Sequence, residues 1–333
     1  MKEALELFDS FKGKKVLFIT TKNLDYIRNS QELELLEDSA GELEVIGSNS
    51  HSYPKRLLHV YSKLITTKVA DFDIAFVGFA PQLVLPFFKG KFKKVRVITD
   101  FFISVYDTIC FDRKILLPDT ILGKLTKKLD VKTIRLSDEI ICDTKAHGQY
   151  FISEFEADEN HVHRLFLKAD TSIYHPDVKK PNVTDTAHRV LYFGSILPLQ
   201  GVEVILKALE EFMLDEQFMF DIIGPTGDEM NRPKGKNIHY ISWLTQEALA
   251  EKIAQADLCL AGHFSDDIMK AKRTIPGKAY IYEAMEKPFI LGDSPANHEL
   301  FEPDEKHIFV KMGDAKALAS AIRNYFNDQD STL

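Results

Sequence analysis

Short runs rich in Val and Ile recur along this chain with amphipathic stretches between them, and that alternation restricts its folds more than any other feature. The first set reads KVLFIT (15–20), LEVIG (43–47), DIAFVGF (73–79), VRVITD (95–100) and EIICDT (139–144). Such near-continuous apolar runs suit strands that are covered on both faces of a parallel sheet. Stretches such as LDYIRNSQELELLED (24–38) and KAHGQYFISEF (145–155) have helical spacing and supply the covering layers. Strand and helix taken in turn predict a doubly wound α/β domain.

The rhythm stops once and then restarts. YHPDVKKPNVTDTAHR (174–189) has two prolines, lysines and small polar residues, and reads as an interdomain linker. Beyond it come RVLYFGS (189–195), FMFDIIG (218–224), NIHYIS (237–242), ADLCLAG (256–262), KPFILGD (287–293) and HIFV (307–310). A chain of 333 residues is long for one core and suits two. The expected organisation is a Rossmann-like domain over 1–176, a linker over 177–188, a second Rossmann-like domain over 189–314, and a final helix over 315–333 that crosses back to the first domain.

Charge is divided unevenly between the halves. Residues 1–180 hold 27 Lys and Arg against 26 Asp and Glu, and the remainder holds 15 against 24. Basic residues of the first half cluster in KGKFKKVR (89–96), directly after LVLPFF (83–88), and in KLTKKLDVK (124–132). Lysines beside aromatic residues suit peripheral contact with an anionic membrane through 83–96 and 124–132, and they equally suit solvated helix ends. Cys110, Cys142 and Cys259 are far apart and lie in or beside apolar runs, as in a reducing compartment. No run reaches about 18 apolar residues, and MKEALELFDSFKGKK lacks the basic-then-apolar order of a signal peptide. The expected location is the cytoplasm, at the inner face of the membrane, and nucleic acid is not an expected partner.

Common nucleotide signatures are absent. No G-x-G-x-x-G follows the first strand, and Gly277-Lys278 is followed by Ala279, not by the Ser or Thr of a P-loop. Asp71-Phe72-Asp73 precedes its strand, the wrong end for a site, and reads as a turn. His161 and His163 read as strand residues, and no metal site is expected. The turn LYFGSILPLQGVEV (191–204) is more informative: Gly194 lets backbone pass close to a ligand, and Gly201 opens a helix whose free N–H groups attract an anion, with Gly224, after the next strand, a further binding candidate. RTIPGKAYIYEAMEKP (273–288) repeats this logic. Pro276 suits the first helical position, Arg273 and Lys278 bring charge to the helix start, and Glu283, about 10 Å along the axis, suits a ribose diol. GDSPANHELF (292–301) adds Ser294 and further backbone N–H groups.

In order, G-S-x-x-P-x-x-G-V-E, then I-P-G-K-x-x-x-x-E-A-M-x-K-P, then G-D-S-P-A resemble the nucleotide-binding domain of retaining GT-B glycosyltransferases of family 4. DFFISVYDTICFDRK (100–114), DTKAHGQYF (143–151) and LFLKADTSIYHP (165–176) resemble the acceptor side and domain junction of members that build bacterial surface polysaccharides. The resemblance implies a GT-B fold, two Rossmann-like doubly wound domains facing a central cleft. It places Glu283 on the nucleotide ribose, and Ser195 and Gln200 where the family holds the donor diphosphate with arginine and lysine. The family's first motif glutamate falls at Ile275. Asp100 takes the place of a family His or Asp near the reacting sugar. Asp107, Arg113 and Arg28 are acceptor-side candidates, with a local ion pair as the competing reading for Asp107 and Arg113.

The reaction implied is metal-independent, retaining transfer from a UDP-, GDP- or dTDP-linked sugar to a glycan or lipid-linked acceptor, with no cofactor. The competing reading is a non-catalytic GT-B subunit that stabilises a partner transferase.

Overall fold

A computed structural model divides the chain into two α/β units, Met1–Lys168 and Ala169–Leu333. It describes residues 1–180, 186–225 and 232–330. The division falls at Lys168, ahead of the boundary at 176 read from the sequence, and residues 181–185 of the expected linker lie outside the described residues.

The first unit holds β1 (Lys2–Glu3), β2 (Lys15–Ile19), β3 (Glu42–Ile46), β4 (Ile74–Val77), β5 (Arg96–Asp100), β6 (Glu139–Cys142) and β7 (Val162–Arg164). They pair in parallel in the order β1-β7-β6-β5-β4-β2-β3. The second unit holds β8 (His188–Phe193), β9 (Phe218–Ile223), β10 (Ile238–Ile241), β11 (Leu258–Gly262), β12 (Phe289–Gly292) and β13 (His307–Val310). These also run parallel, in the order β10-β9-β8-β11-β12-β13.

Strand burial follows position in the sheet. Central β4, β11 and β12 are buried at every residue, whereas edge strand β3 leaves Glu42, Glu44 and Val45 exposed. In the second unit, Tyr192, Phe220 and Leu260 of the sheet meet Ile205, Leu209 and Phe212. The final helix, Ala315–Asp330, buries Leu318, Ala319, Ile322 and Phe326 in this same core, so its apolar face is used within the second unit. The sequence reading had sent this helix back to the first domain.

Each sheet reverses its winding once, at β2/β4 in the first unit and at β8/β11 in the second. At such a switch the flanking loops leave in opposite directions, which opens a crevice at the strand carboxyl ends.

Candidate donor-binding site

In the second unit the crevice at β8/β11 is walled by bare backbone. Past β8 the chain stays in register, with the Gly194 N–H donating to Ile223 O at 2.9 Å. Gly194 has φ 145° and Gly224, after β9, has φ 136°; a Cβ on Gly224 would strike Gly194 O. Only glycine adopts these angles without strain. Gly224→Ala is therefore expected to destabilise the second unit by about 3 kcal/mol, combining backbone strain and overpacking, as read from urea unfolding.

The loop after β8 turns through Pro198–Gln200 and reaches Gly201, which is left-handed at φ 66°. A Cβ on Gly201 would lie 2.5 Å from Ser265 N, so this loop rests directly on the loop after β11. The Phe264 N–H donates to Gln200 O at 3.1 Å and fixes the contact. β11 ends in Gly262, φ 79°, where a Cβ would lie 2.9 Å from Gln200 Oε1.

Lys278 enters this frame from the helix Gly277–Ala284, just after extended Pro276. Its side chain is buried, its Nζ donates to Gln200 Oε1 and lies 5.0 Å from the centre of the Tyr192 ring. A Cβ on Gly194 or Gly262 would come within 3.3 or 3.6 Å of the ammonium. Burial lowers the Lys278 pKa to about 7, with no carboxylate among the described residues to offset it. The Tyr192 hydroxyl, also buried, has no hydrogen-bond partner among the described residues. A desolvated ammonium, an amide and a phenol therefore converge at the start of a helix beside glycine backbone. Each would gain by meeting an anionic oxygen.

The remaining second-unit candidates separate. Ser195 is exposed just past β8, and Arg273 is half-buried at the end of the turn Met269–Lys272. Ser294 is spent internally, its Oγ accepting from the Asn297 N–H at 3.3 Å. Ile275 is buried, so the side chain at that position belongs to the packing.

Glu283 corrects the sequence reading. Five residues beyond Lys278, it lies about 140° around the helix axis from it. Its Oε2 accepts from His307 Nε2 at 2.8 Å, on β13, and the side chain is exposed. The spacing along the axis had suggested a ribose contact, but the rotation around the axis turns Glu283 away from the crevice.

The first-unit candidates are also corrected. Asp100 and Arg28 are fully buried, and their charges face each other: Arg28 Nε and Nη2 each donate to the Asp100 carboxylate at 3.0 Å. Arg28 Nη1 donates to Leu165 O at 2.6 Å, and Glu32 Oε1 lies 3.4 Å from Arg28 Nε. Burial and the neighbouring Asp100 hold the Glu32 carboxyl well above its usual range. Asp100 is thus engaged in an internal network with Arg28 and Glu32. Asp107 is buried in the π-helix Asp107–Asp112, whereas Arg113 is exposed.

Two members of the site escaped the sequence reading. Tyr192 was hidden inside an apolar strand, and Gly262 closed a run read only as a strand. A polar-tipped aromatic directly before Gly-Ser was the available signal for the first.

Residues 187–328, which contain Tyr192, Gly194, Gln200, Gly262 and Lys278, match the family described as Glycosyl transferases group 1. Across almost its whole length the chain is similar in structure to sucrose-phosphate synthase from Thermosynechococcus elongatus. The TM-score is 0.66 at 12% identity, over 94% of this chain and 90% of that one. The fold is GT-B. Two further GT-B structures align comparably. One is Anabaena HepE in complex with UDP, with TM-score 0.61, 15% identity and 95% and 90% coverage. The other is the catalytic domain of starch synthase IV from Arabidopsis thaliana bound to ADP and acarbose, with TM-score 0.62, 10% identity and 96% and 94% coverage. No curated protein sequence is matched. The stretch similar to the group 1 family lies within the second unit of this GT-B chain.

Proposed function

We propose that the protein transfers a sugar from a nucleoside diphosphate donor to a glycan or lipid-linked acceptor, with the diphosphate seated at Lys278, Gln200 and the Gly194 backbone. The observation that carries this reading is the buried Lys278 ammonium, which meets the Gln200 amide and the Tyr192 ring and, among the described residues, no carboxylate. Leaving-group charge develops on the diphosphate during transfer, and an ammonium preorganised at a helix start meets it without reorganising. UDP and ADP in the similar structures support a nucleoside diphosphate as ligand. The resemblance to family 4 supports retention of configuration, a metal-independent step and a role in polysaccharide synthesis.

The test is a thermal-shift and calorimetric screen of the full chain against UDP, GDP, dTDP and ADP. At least one should stabilise the protein, and its parent nucleoside should bind much more weakly, because the phosphates carry the contact. No shift with any of the four would refute the reading. In the same assay Glu283→Ala should change affinity by less than about twofold, as for a surface residue outside the site. A tenfold loss would return the ribose to Glu283.

Gln200 in place of a lysine and Ile275 in place of a glutamate keep the non-catalytic subunit as a second reading. Slow hydrolysis of a sugar nucleotide by the purified protein decides against it.

A further inference from the structure

The helix Ile121–Ile134 buries Ile134 at its end but turns its apolar residues outward in its first half. Its first turn exposes Ile121 at 80%, Leu122 at 58% and Leu125 at 52%, while Gly123, Asp130 and Thr133 face inward. Rotation about the helix axis cannot relieve this. Asp130 accepts from Ser104 Oγ and from the Tyr106 N–H, both at 2.8 Å, and from Gln82 Nε2 at 2.9 Å, which pins the polar face to the protein. At the other end Thr120 caps the helix by accepting from the Gly123 N–H at 3.1 Å and donates to Leu117 O at 2.7 Å. Gly123 is also in close contact with the backbone of Leu117 and Pro118, so the preceding loop lies against the helix start. That loop adds Ile115 at 69% and Leu117 at 72% exposure. Five large aliphatic side chains therefore face outward within about a dozen residues, beyond the scattered exposure that is normal for a surface.

The rim of this patch is positive. Arg113, Lys114, Lys124, Lys128 and Lys132 are exposed, and Asp119 is the one exposed acid between residues 111 and 132. Ile121, Leu125, Lys128 and Lys132 fall at spacings of four, three and four, so a single stripe passes from apolar to basic along the helix. The short helix Leu85–Phe88 packs against the same helix and exposes Phe87 at 63%.

We infer that this face of the first unit docks on an anionic lipid bilayer, the aliphatic groups entering the interface and the cations meeting lipid phosphates. Apolar insertion with a surrounding basic rim is the arrangement that such a surface binds. A second copy of the chain fits poorly, because a two-fold contact would set each positive rim against itself. The contact is centred on residues 111–132, not on the lysines at 89–94: Lys91 Nζ is already donated to Ile65 O and Thr67 O.

The experiment is flotation of the full chain with phosphatidylcholine vesicles, with and without phosphatidylglycerol. The chain should float with the anionic vesicles only, and added salt should release it. The triple variant Ile121→Ser, Leu122→Ser, Leu125→Ser and the pair Lys124→Gln, Lys128→Gln should each weaken binding by at least about tenfold. Unchanged melting temperature and nucleotide binding in both variants would show that the fold survives. Wild-type protein that stays unbound, or variants that float as well as wild type, would overturn the inference. So would a dimer in solution that the triple variant dissociates.

Discussion

Lys278→Met is expected to make the protein more stable and to remove most of its affinity for a nucleoside diphosphate. Lys278 keeps a proton up to about pH 10.5 in the unfolded chain but only to about 7 in the folded one. Between those values the unfolded state binds more protons, so wild-type stability rises with pH across that window. At and below pH 7 the full cost of the buried ammonium is felt. Replacing such a charge with a well-packed apolar side chain of similar length stabilises by about 1–4 kcal/mol. The gain should be largest near pH 6–7 and fade towards pH 10. Losing a charge-assisted hydrogen bond of about 1.5–3 kcal/mol should weaken nucleotide binding by roughly 10- to 150-fold. Urea unfolding at pH 6 and pH 9, with calorimetry on the same samples, reads both effects. A methionine variant that is less stable at pH 6, or that binds UDP as tightly as wild type, would show that the cradle has been misassigned.

Arg28→Ala should be the most damaging single change in the first unit. It would leave the Asp100 carboxylate and the Glu32 carboxyl buried without their cation, a loss of about 3–5 kcal/mol, or about 10 °C in melting temperature. Nucleotide binding, which belongs to the second unit, should persist in the fraction that remains folded. The double change Arg28→Met, Asp100→Leu should recover a large part of the loss, because removing both partners leaves no orphan charge. This contrast separates a structural from a chemical role for Asp100. A double variant as unstable as Arg28→Ala would argue against a closed pair. An Asp100→Asn protein with full stability and no transferase activity would return Asp100 to the chemistry.

The sheets were legible because parallel strands must be apolar on both faces. KVLFIT contains β2, and ADLCLAG contains β11, with only the ends displaced. β1 was harder, since two residues carry too little pattern to stand out, whereas the strand read at His161 and His163 is β7, with His161 itself in the turn just before it. Within the proposed site, the helix start at Lys278 and the positive φ of Gly194, Gly201 and Gly224 were readable because their chemistry is local. Arg28 and Asp100 were misread for the opposite reason. They are 72 residues apart, and nothing in the sequence says that a cation at a helix start and a carboxylate at a strand end will neutralise each other. Glu283 failed on geometry of another kind, since linear spacing fixes height along a helix but its face only through the 100° step.

The hydrogen bond from Lys278 to Gln200 joins residues 78 apart in sequence and crosses the point where the second sheet reverses its winding. Contacts of such separation bear a high loop-closure cost and form late relative to local helices and turns. Gln200 is itself held by the Phe264 N–H, just past β11, so the proposed cradle is complete only when the β8–β10 and β11–β13 halves are docked. A nucleoside diphosphate bound at the proposed cradle would thus bridge the two halves of the second sheet and stabilise that unit as a whole by mass action.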